Sequence, residues 1–167
     1  MSAWRQQRAG NLKGMSTHWL RDFLYREDNF ALVDEATGGG WLDGSCQILA
    51  DALMQWLGEG AELYYLVGGT TFEKGHERDW PEHALVRYGD LYLDGDGASS
   101  EGMLFKRWEE EEHMVGGWLA PGTDELRASG WEAGIPSDDG VSYSLAQRLK
   151  EEFPVIPWPK PQTIETS

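Results

Sequence analysis

The fold is decided by the stretch Gly44-Ser45-Cys46-Gln47-Ile48-Leu49-Ala50-Asp51-Ala52-Leu53, which continues to Gly58. Apolar side chains recur along it at spacings of three and four: Ile48, Leu49, Ala52, Leu53, Trp56 and Leu57. This period is typical of an amphipathic helix with one buried face. Ser45 suits an N-cap, and Gly58 or Gly60 suits the helix end. We therefore expect a helix whose first turn carries Cys46.

Cys46 is the one cysteine of the chain, so no internal disulfide is expected, which fits a reducing cytosol. A thiolate is the nucleophilic form of cysteine, and the free N–H groups and the dipole of a helix N-terminus stabilise such an anion. The glycine-rich loop 38–44 would let a substrate carbonyl approach the sulfur. A lone cysteine is also common as a small buried apolar residue. The partners of Cys46 therefore decide between the two interpretations.

A β-hairpin is predicted from residues 83–88 and 91–96, joined by a two-residue turn at Gly89-Asp90. The turn sets Tyr88 opposite Leu91, and the same register places His83 opposite Asp96 and Leu85 opposite Asp94. Strand alternation then puts these side chains on one face: His83, Leu85, Arg87, Tyr92, Asp94 and Asp96. Either aspartate could orient the imidazole and leave its other nitrogen for a thiol.

The other patterns predict one α+β domain over residues 16–153. We expect helices at 16–27, 101–113 and 144–152, a strand at 63–67, a short turn at 123–129 and loops elsewhere. Residues 1–15 are expected to form an N-terminal arm. Residues 154–167 are expected to form a Pro-rich C-terminal tail that favours polyproline II.

The charge of the chain excludes one class of partner. The formal net charge is -15, from 29 acidic and 14 basic residues. Without clustered Lys and Arg, direct binding of DNA or RNA is not expected. An acidic surface repels anionic membranes and attracts basic proteins. The N-terminus lacks a secretory signal, and no apolar run is long enough to span a bilayer, so a cytoplasmic protein is expected.

No metal site or cofactor is expected from the sequence. The acidic run Glu109-Glu110-Glu111-Glu112-His113 would point around a helix axis rather than converge on an ion. Asp94-Gly95-Asp96-Gly97 lacks the remaining ligands of a calcium loop. No Cys/His set has zinc spacing, and no phosphate-binding glycine loop is present.

Two of these segments resemble a known superfamily. The stretch from Gly44 to Leu53 is similar to the cysteine-bearing helix of the papain-like and transglutaminase-like proteins. His83-Ala84-Leu85-Val86-Arg87 and Leu91-Tyr92-Leu93-Asp94 resemble their His strand and Asp strand. Bacterial transglutaminase-like cysteine proteases show a comparable hairpin. The resemblance covers residues 38–97 and implies an α+β fold in which the Cys helix packs on an antiparallel sheet.

The resemblance also implies roles for residues. Cys46 would be the nucleophile, His83 the general base and acid, and Asp94 the orienting carboxylate, with Asp96 in reserve. The oxyanion glutamine of papain-type enzymes is missing before Cys46, so the backbone N–H of Cys46 and the Trp41 indole are the expected donors. His76 is an alternative base. Three tryptophans are candidates for a cleft near the triad or for ordinary core packing: Trp41, Trp80 and Trp108.

Two functions from different classes follow. The first is a cysteine-nucleophile hydrolase or acyl transferase, such as a thiol protease, acting on an amide or thioester bond of a protein or peptide substrate. The second is a catalytically inactive, acidic binding or inhibitor protein on the same scaffold. A phage-encoded nucleic-acid mimic that blocks a basic partner would be one form of the second.

Overall fold

The computed structural model describes residues 18–41, 44–68, 81–112 and 114–158. Within them the chain forms helices and strands of a mixed α+β fold: α1 (His18–Leu24), α2 (Glu27–Thr37), α3 (Cys46–Leu57), β1 (Ala61–Val67), β2 (Pro81–Tyr88), β3 (Leu91–Asp94), β4 (Gly97–Ser99), α4 (Glu101–Glu112), β5 (Trp118–Pro121), α5 (Asp124–Glu132) and α6 (Asp139–Glu152). The predicted N-terminal arm lies outside the described residues. None of the described helices is long and apolar enough to cross a membrane.

The five strands form one antiparallel sheet in the order β4-β3-β2-β1-β5. The predicted hairpin register is confirmed, since Tyr88 pairs with Leu91. The second strand is shorter than expected. It ends at Asp94, which pairs with Gly97 of β4, so a further turn reverses the chain at residues 95–96. The predicted pairing of His83 with Asp96 is therefore wrong.

The first face of the sheet is covered by α3, as its amphipathic period predicts. The apolar side of α3 packs on β1 and β2 in the main core, where Ile48, Leu53 and Val86 are fully buried. The helix ends before Gly58, whose φ of 70° lies in the left-handed region that glycine adopts readily. α6 packs against α3, and the Ser142 hydroxyl donates to the Ile48 carbonyl at 2.8 Å.

The second face of the sheet is covered by α4. Alternate residues of the strands point to this side, and a smaller apolar cluster forms from Leu66, Leu85, Tyr92 and Leu104. All four are buried. The sheet therefore lies between α3, which carries Cys46, and α4, which contacts the side of β2 that holds the odd-numbered residues.

Four parts of the structure differ from the sequence predictions. α2 and β5 occupy segments that were predicted to be loops, and α5 forms where only a short turn was predicted. The predicted tail also begins differently. Trp158 is buried, with its ring centroid 5.1 Å from that of Trp19 and 6.0 Å from that of Trp56. Residues 154–158 therefore belong to the packed domain, and those after 158 lie outside the described residues.

Candidate functional site

Cys46 is the first residue of α3, as predicted, but Ser45 does not cap the helix with its side chain. The Ser45 hydroxyl instead contacts the Gly39 carbonyl at 3.1 Å and the Thr37 hydroxyl at 2.6 Å. The N–H groups of a first helical turn have no acceptor within the helix. Since Ser45 does not occupy them, the amide groups at this end of α3 are donors for an anionic group.

The sulfur of Cys46 contacts the N-terminal part of β2. Its Sγ accepts a hydrogen bond from the Ala84 backbone N–H at 3.4 Å. The pairing of β1 with β2 slips here, because Leu66 pairs with His83 while Val67 pairs with Pro81. Such a bulge re-aims a side chain at the end of a strand. At this end of the sheet Cys46, whose helix covers one face, interacts with His83, which belongs by alternation to the other face.

His83 and Asp94 form a buried pair. The Nε2 atom of His83 lies 3.0 Å from Asp94 Oδ2, and the two residues are 1% and 2% exposed. The other carboxylate oxygen of Asp94 accepts the Asp96 backbone N–H at 2.9 Å. His83 Nδ1 has no hydrogen-bond partner among the described residues. With Nε2 engaged by Asp94, Nδ1 is the ring atom left for Cys46.

The electrostatic surroundings favour a charged pair. Burial alone would lower the pKa of His83, but the interactions with Asp94 and Cys46 outweigh it and raise the pKa to about 10. Burial likewise opposes ionisation of Asp94, yet the His83 hydrogen bond and the Arg107 charge lower the pKa of this carboxyl. The imidazole is therefore protonated, and Asp94 ionised, across neutral pH.

Two consecutive residues of α4 cover this pair. Arg107 Nη2 lies 2.5 Å from Asp94 Oδ2, and its Nε lies 3.1 Å from Asp96 Oδ2. The Trp108 ring stacks on the His83 imidazole, with centroids 5.5 Å apart and an interplanar angle of 29°. Trp108 is one of the three tryptophans for which the sequence left open a place near the triad or ordinary core packing. Arg107 was not anticipated, since no local pattern links it to Asp94.

A second polar cluster fixes the orientation of α3. The Tyr65 hydroxyl donates to Gln47, the residue after the cysteine, and Gln47 Nε2 donates to Asp51 at 3.1 Å. The Asp51 carboxylate accepts hydrogen bonds from both terminal nitrogens of Arg127, each at 2.8 Å. Burial raises the pKa of Tyr65 to about 12, so its hydroxyl stays a donor. These contacts tie the start of α3 to β1 and α5.

The remaining predicted residues take other places. Trp41 is fully buried and its indole donates to the Leu24 carbonyl at 2.8 Å, so the expectation that it supplies an oxyanion donor is wrong. Asp96 pairs with Arg107 rather than with His83, so Asp94 has the contact predicted for the orienting carboxylate. His76 and Trp80 lie outside the described residues. No group of three or more metal-binding side chains occurs in the described ranges.

The arrangement supplies the parts of acyl transfer in one place: a thiol, an oriented imidazole and helix N–H donors. Cys46 is 2% exposed, so a substrate reaches the sulfur only when the surrounding side chains move.

Comparisons of the chain with protein families, with curated proteins and with solved structures found no match.

Proposed function

We propose that this protein is a cysteine-nucleophile hydrolase or acyl transferase that acts on an amide or thioester bond. The observation that carries the proposal is the position of His83. Its Nε2 is held by Asp94 at 3.0 Å, and its Nδ1 is left for Cys46, whose sulfur contacts the adjacent Ala84 amide. A histidine held in this way exchanges a proton with the thiol on one side and stays oriented from the other.

The proposed reaction has two halves, acylation of Cys46 and its deacylation, and His83 transfers a proton in each. The Cys46 thiolate attacks the substrate carbonyl carbon, and the oxyanion that forms accepts hydrogen bonds from backbone N–H groups of the first turn of α3. The His83 imidazolium gives its Nδ1 proton to the leaving amine or thiolate, which departs as the acyl-cysteine forms. His83, now neutral, takes a proton from water or an acceptor amine, which attacks the acyl group and releases Cys46.

The proposed scaffold is similar to that of papain-like and transglutaminase-like proteins. Three features support this: the order of Cys46, His83 and Asp94, a Cys helix packed on an antiparallel sheet, and a His strand paired with an Asp strand. The missing oxyanion glutamine is a departure from the papain pattern. In this proposal a second N–H of the first turn of α3 takes its place.

The test is acyl-enzyme trapping. Because Cys46 is the only cysteine, the mass of the intact protein reports its acylation directly. We expect activated peptidyl thioesters to add one acyl group to the wild-type chain, followed by loss of that mass on addition of an amine or over time. Cys46→Ala is expected to add none, and His83→Gln to acylate at least about 100-fold more slowly, as expected for loss of a general base. Equal acylation of wild type and His83→Gln would contradict the proposal.

A second function, that of an inactive acidic binding protein, is favoured by one pair of observations. The net charge is -15 and the thiol is buried, so the surface chemistry of the molecule is dominated by carboxylates. Such a surface would hold a basic protein by long-range attraction that salt screens.

The two functions make opposite predictions in a binding assay with a basic protein such as a histone. A binding protein would retain the complex at 0.15 M salt in both wild type and Cys46→Ala, and would lose it above about 0.5 M. The enzyme is expected to show no stoichiometric complex at 0.15 M salt. Salt-sensitive, stoichiometric binding without acylation would replace the first function by the second.

A further inference from the structure

The carboxylate that orients His83 is shared with a cation. Asp94 Oδ2 contacts both the Nε2 of His83 at 3.0 Å and the Nη2 of Arg107 at 2.5 Å. The Asp94 side chain is 1% exposed and that of Arg107 is 18% exposed, so both charges are largely removed from water. Arg107 also holds the Asp96 carboxylate by its Nε at 3.1 Å, and Nη1 donates to the Ser99 hydroxyl at 3.3 Å. One guanidinium thus bridges the two carboxylates of the β3–β4 turn.

The charges around the imidazole come from every element that packs on it. α3 contributes Cys46, β3 contributes Asp94, and the following turn contributes Asp96. α4 contributes Arg107, together with Glu111 and Glu112, which line the same small pocket as the imidazole. Arg107 is the one cation of this described set. It opposes protonation of His83, whereas the carboxylates favour it.

Arg107 also restricts the positions of Asp94 and His83 relative to each other. A guanidinium presents its N–H groups in a fixed, planar fork, so contacts to two carboxylates define the position of both. Because Trp108 follows it on α4 and stacks on the ring of His83, the same helix turn fixes the carboxylate and the imidazole. Among the described residues, loss of the fork would leave Asp94 with the Asp96 amide and His83 as its hydrogen-bond partners.

We propose that Arg107 is a positioning residue, which holds Asp94 against His83 and balances the negative charge that the imidazole experiences. This inference rests on the proposed function, in which His83 must both give and take a proton within one cycle. With two unbalanced carboxylates beside it, the imidazolium would retain its proton, and the first half of the reaction, in which that proton passes to the leaving group, would slow. Arg107 keeps the imidazole oriented without making it too strong a base.

The test measures the His83 titration by long-range ¹H–¹⁵N NMR of the imidazole. It uses the Cys46→Ala background, because a coupled thiol would otherwise share the titration. His83→Gln assigns the signal among the four histidines. We expect Arg107→Met to raise the pKa of His83 by about one unit, and Arg107→Lys, which keeps the charge, to shift it by less than half of that. Asp96→Asn is expected to lower it by a few tenths of a unit, since Arg107 is then less neutralised.

The pKa of His83 is expected to rise in Arg107→Met and to fall in Asp96→Asn. These opposite signs distinguish an electrostatic effect of Arg107 on the imidazole from a purely structural role. If Arg107→Met does not raise the pKa of His83, or if Asp96→Asn raises it, the inference is overturned. Should Arg107→Met fail to fold, Arg107→Gln, which also removes the charge, takes its place, and a pKa of His83 that does not rise in this variant overturns the inference. The experiment measures the titration of the His83 imidazole and does not depend on catalytic activity. Failure of acyl-enzyme trapping with these shifts intact would therefore refute the proposed function, while unshifted titrations with trapping intact would refute only the role of Arg107.

Discussion

Asp94→Asn is expected to slow the alkylation of Cys46 by iodoacetamide at pH 6 by about 100-fold, since an amide in place of the carboxylate that orients a histidine favours the wrong tautomer and can cost up to about 10⁴-fold in rate. Asp94 is the carboxylate that raises the pKa of His83 against the cost of burial. In the proposed mechanism the imidazole takes the thiol proton, and a neutral amide in place of Asp94 no longer orients the ring or stabilises the imidazolium that forms. Stopped alkylation followed by intact mass measures the rate.

Asp96→Asn is the matched control for that change. It makes the same substitution two residues later, at a carboxylate that pairs with Arg107 and not with His83. We expect its alkylation rate to stay within about threefold of wild type. Both variants need a wild-type circular dichroism spectrum, because Asp94 is almost fully buried. Similar rates for the two folded variants would show that Asp94 does not act on the sulfur through His83.

Trp158→Ala is expected to lower the free energy of unfolding by about 3–5 kcal/mol, the usual cost of deleting a large buried aromatic side chain. Trp158 is 7% exposed and packs on Trp19 and Trp56, the second of which belongs to α3. Its loss would open a cavity between the C-terminal segment and the helix that carries Cys46. Urea unfolding followed by tryptophan fluorescence or circular dichroism measures the change.

Val155→Ala is the control in the same segment. Val155 is 67% exposed, so its truncation should change the free energy of unfolding by less than about 0.5 kcal/mol. Equal, small effects of the two substitutions would mean that residues 154–158 do not pack on the domain in solution.

The local patterns of the sequence predicted the parts of the site that depend on interactions between residues close in the chain. The apolar period of residues 46–57 predicted α3. The two-residue turn at Gly89-Asp90 predicted that Tyr88 lies opposite Leu91, and the structure confirms this register. α2 was missed because its many charged residues and its lack of a capping side chain give little helical signal. β5 was missed because four residues that include a proline resemble a loop.

The parts that failed depend on contacts between distant residues. Trp41 was expected near the sulfur as a donor, yet the acceptor of its indole is the Leu24 carbonyl, 17 residues earlier. Arg107 reaches Asp94 because α4 crosses the second face of the sheet, and no spacing between the two residues indicates that contact. The burial of Cys46 is likewise a property of packing, so the sequence suggested an accessible thiol where the structure has a covered one.

The alkylation rate of Cys46 at pH 6, in the native chain and in the same chain unfolded in urea, distinguishes an activated nucleophile from an ordinary buried thiol. If His83 and Asp94 activate the sulfur as proposed, the native rate exceeds the unfolded rate despite the burial of the thiol, and His83→Gln removes that advantage. A native rate far below the unfolded one, rising only as the protein unfolds, would identify Cys46 as an inert core residue and contradict the account.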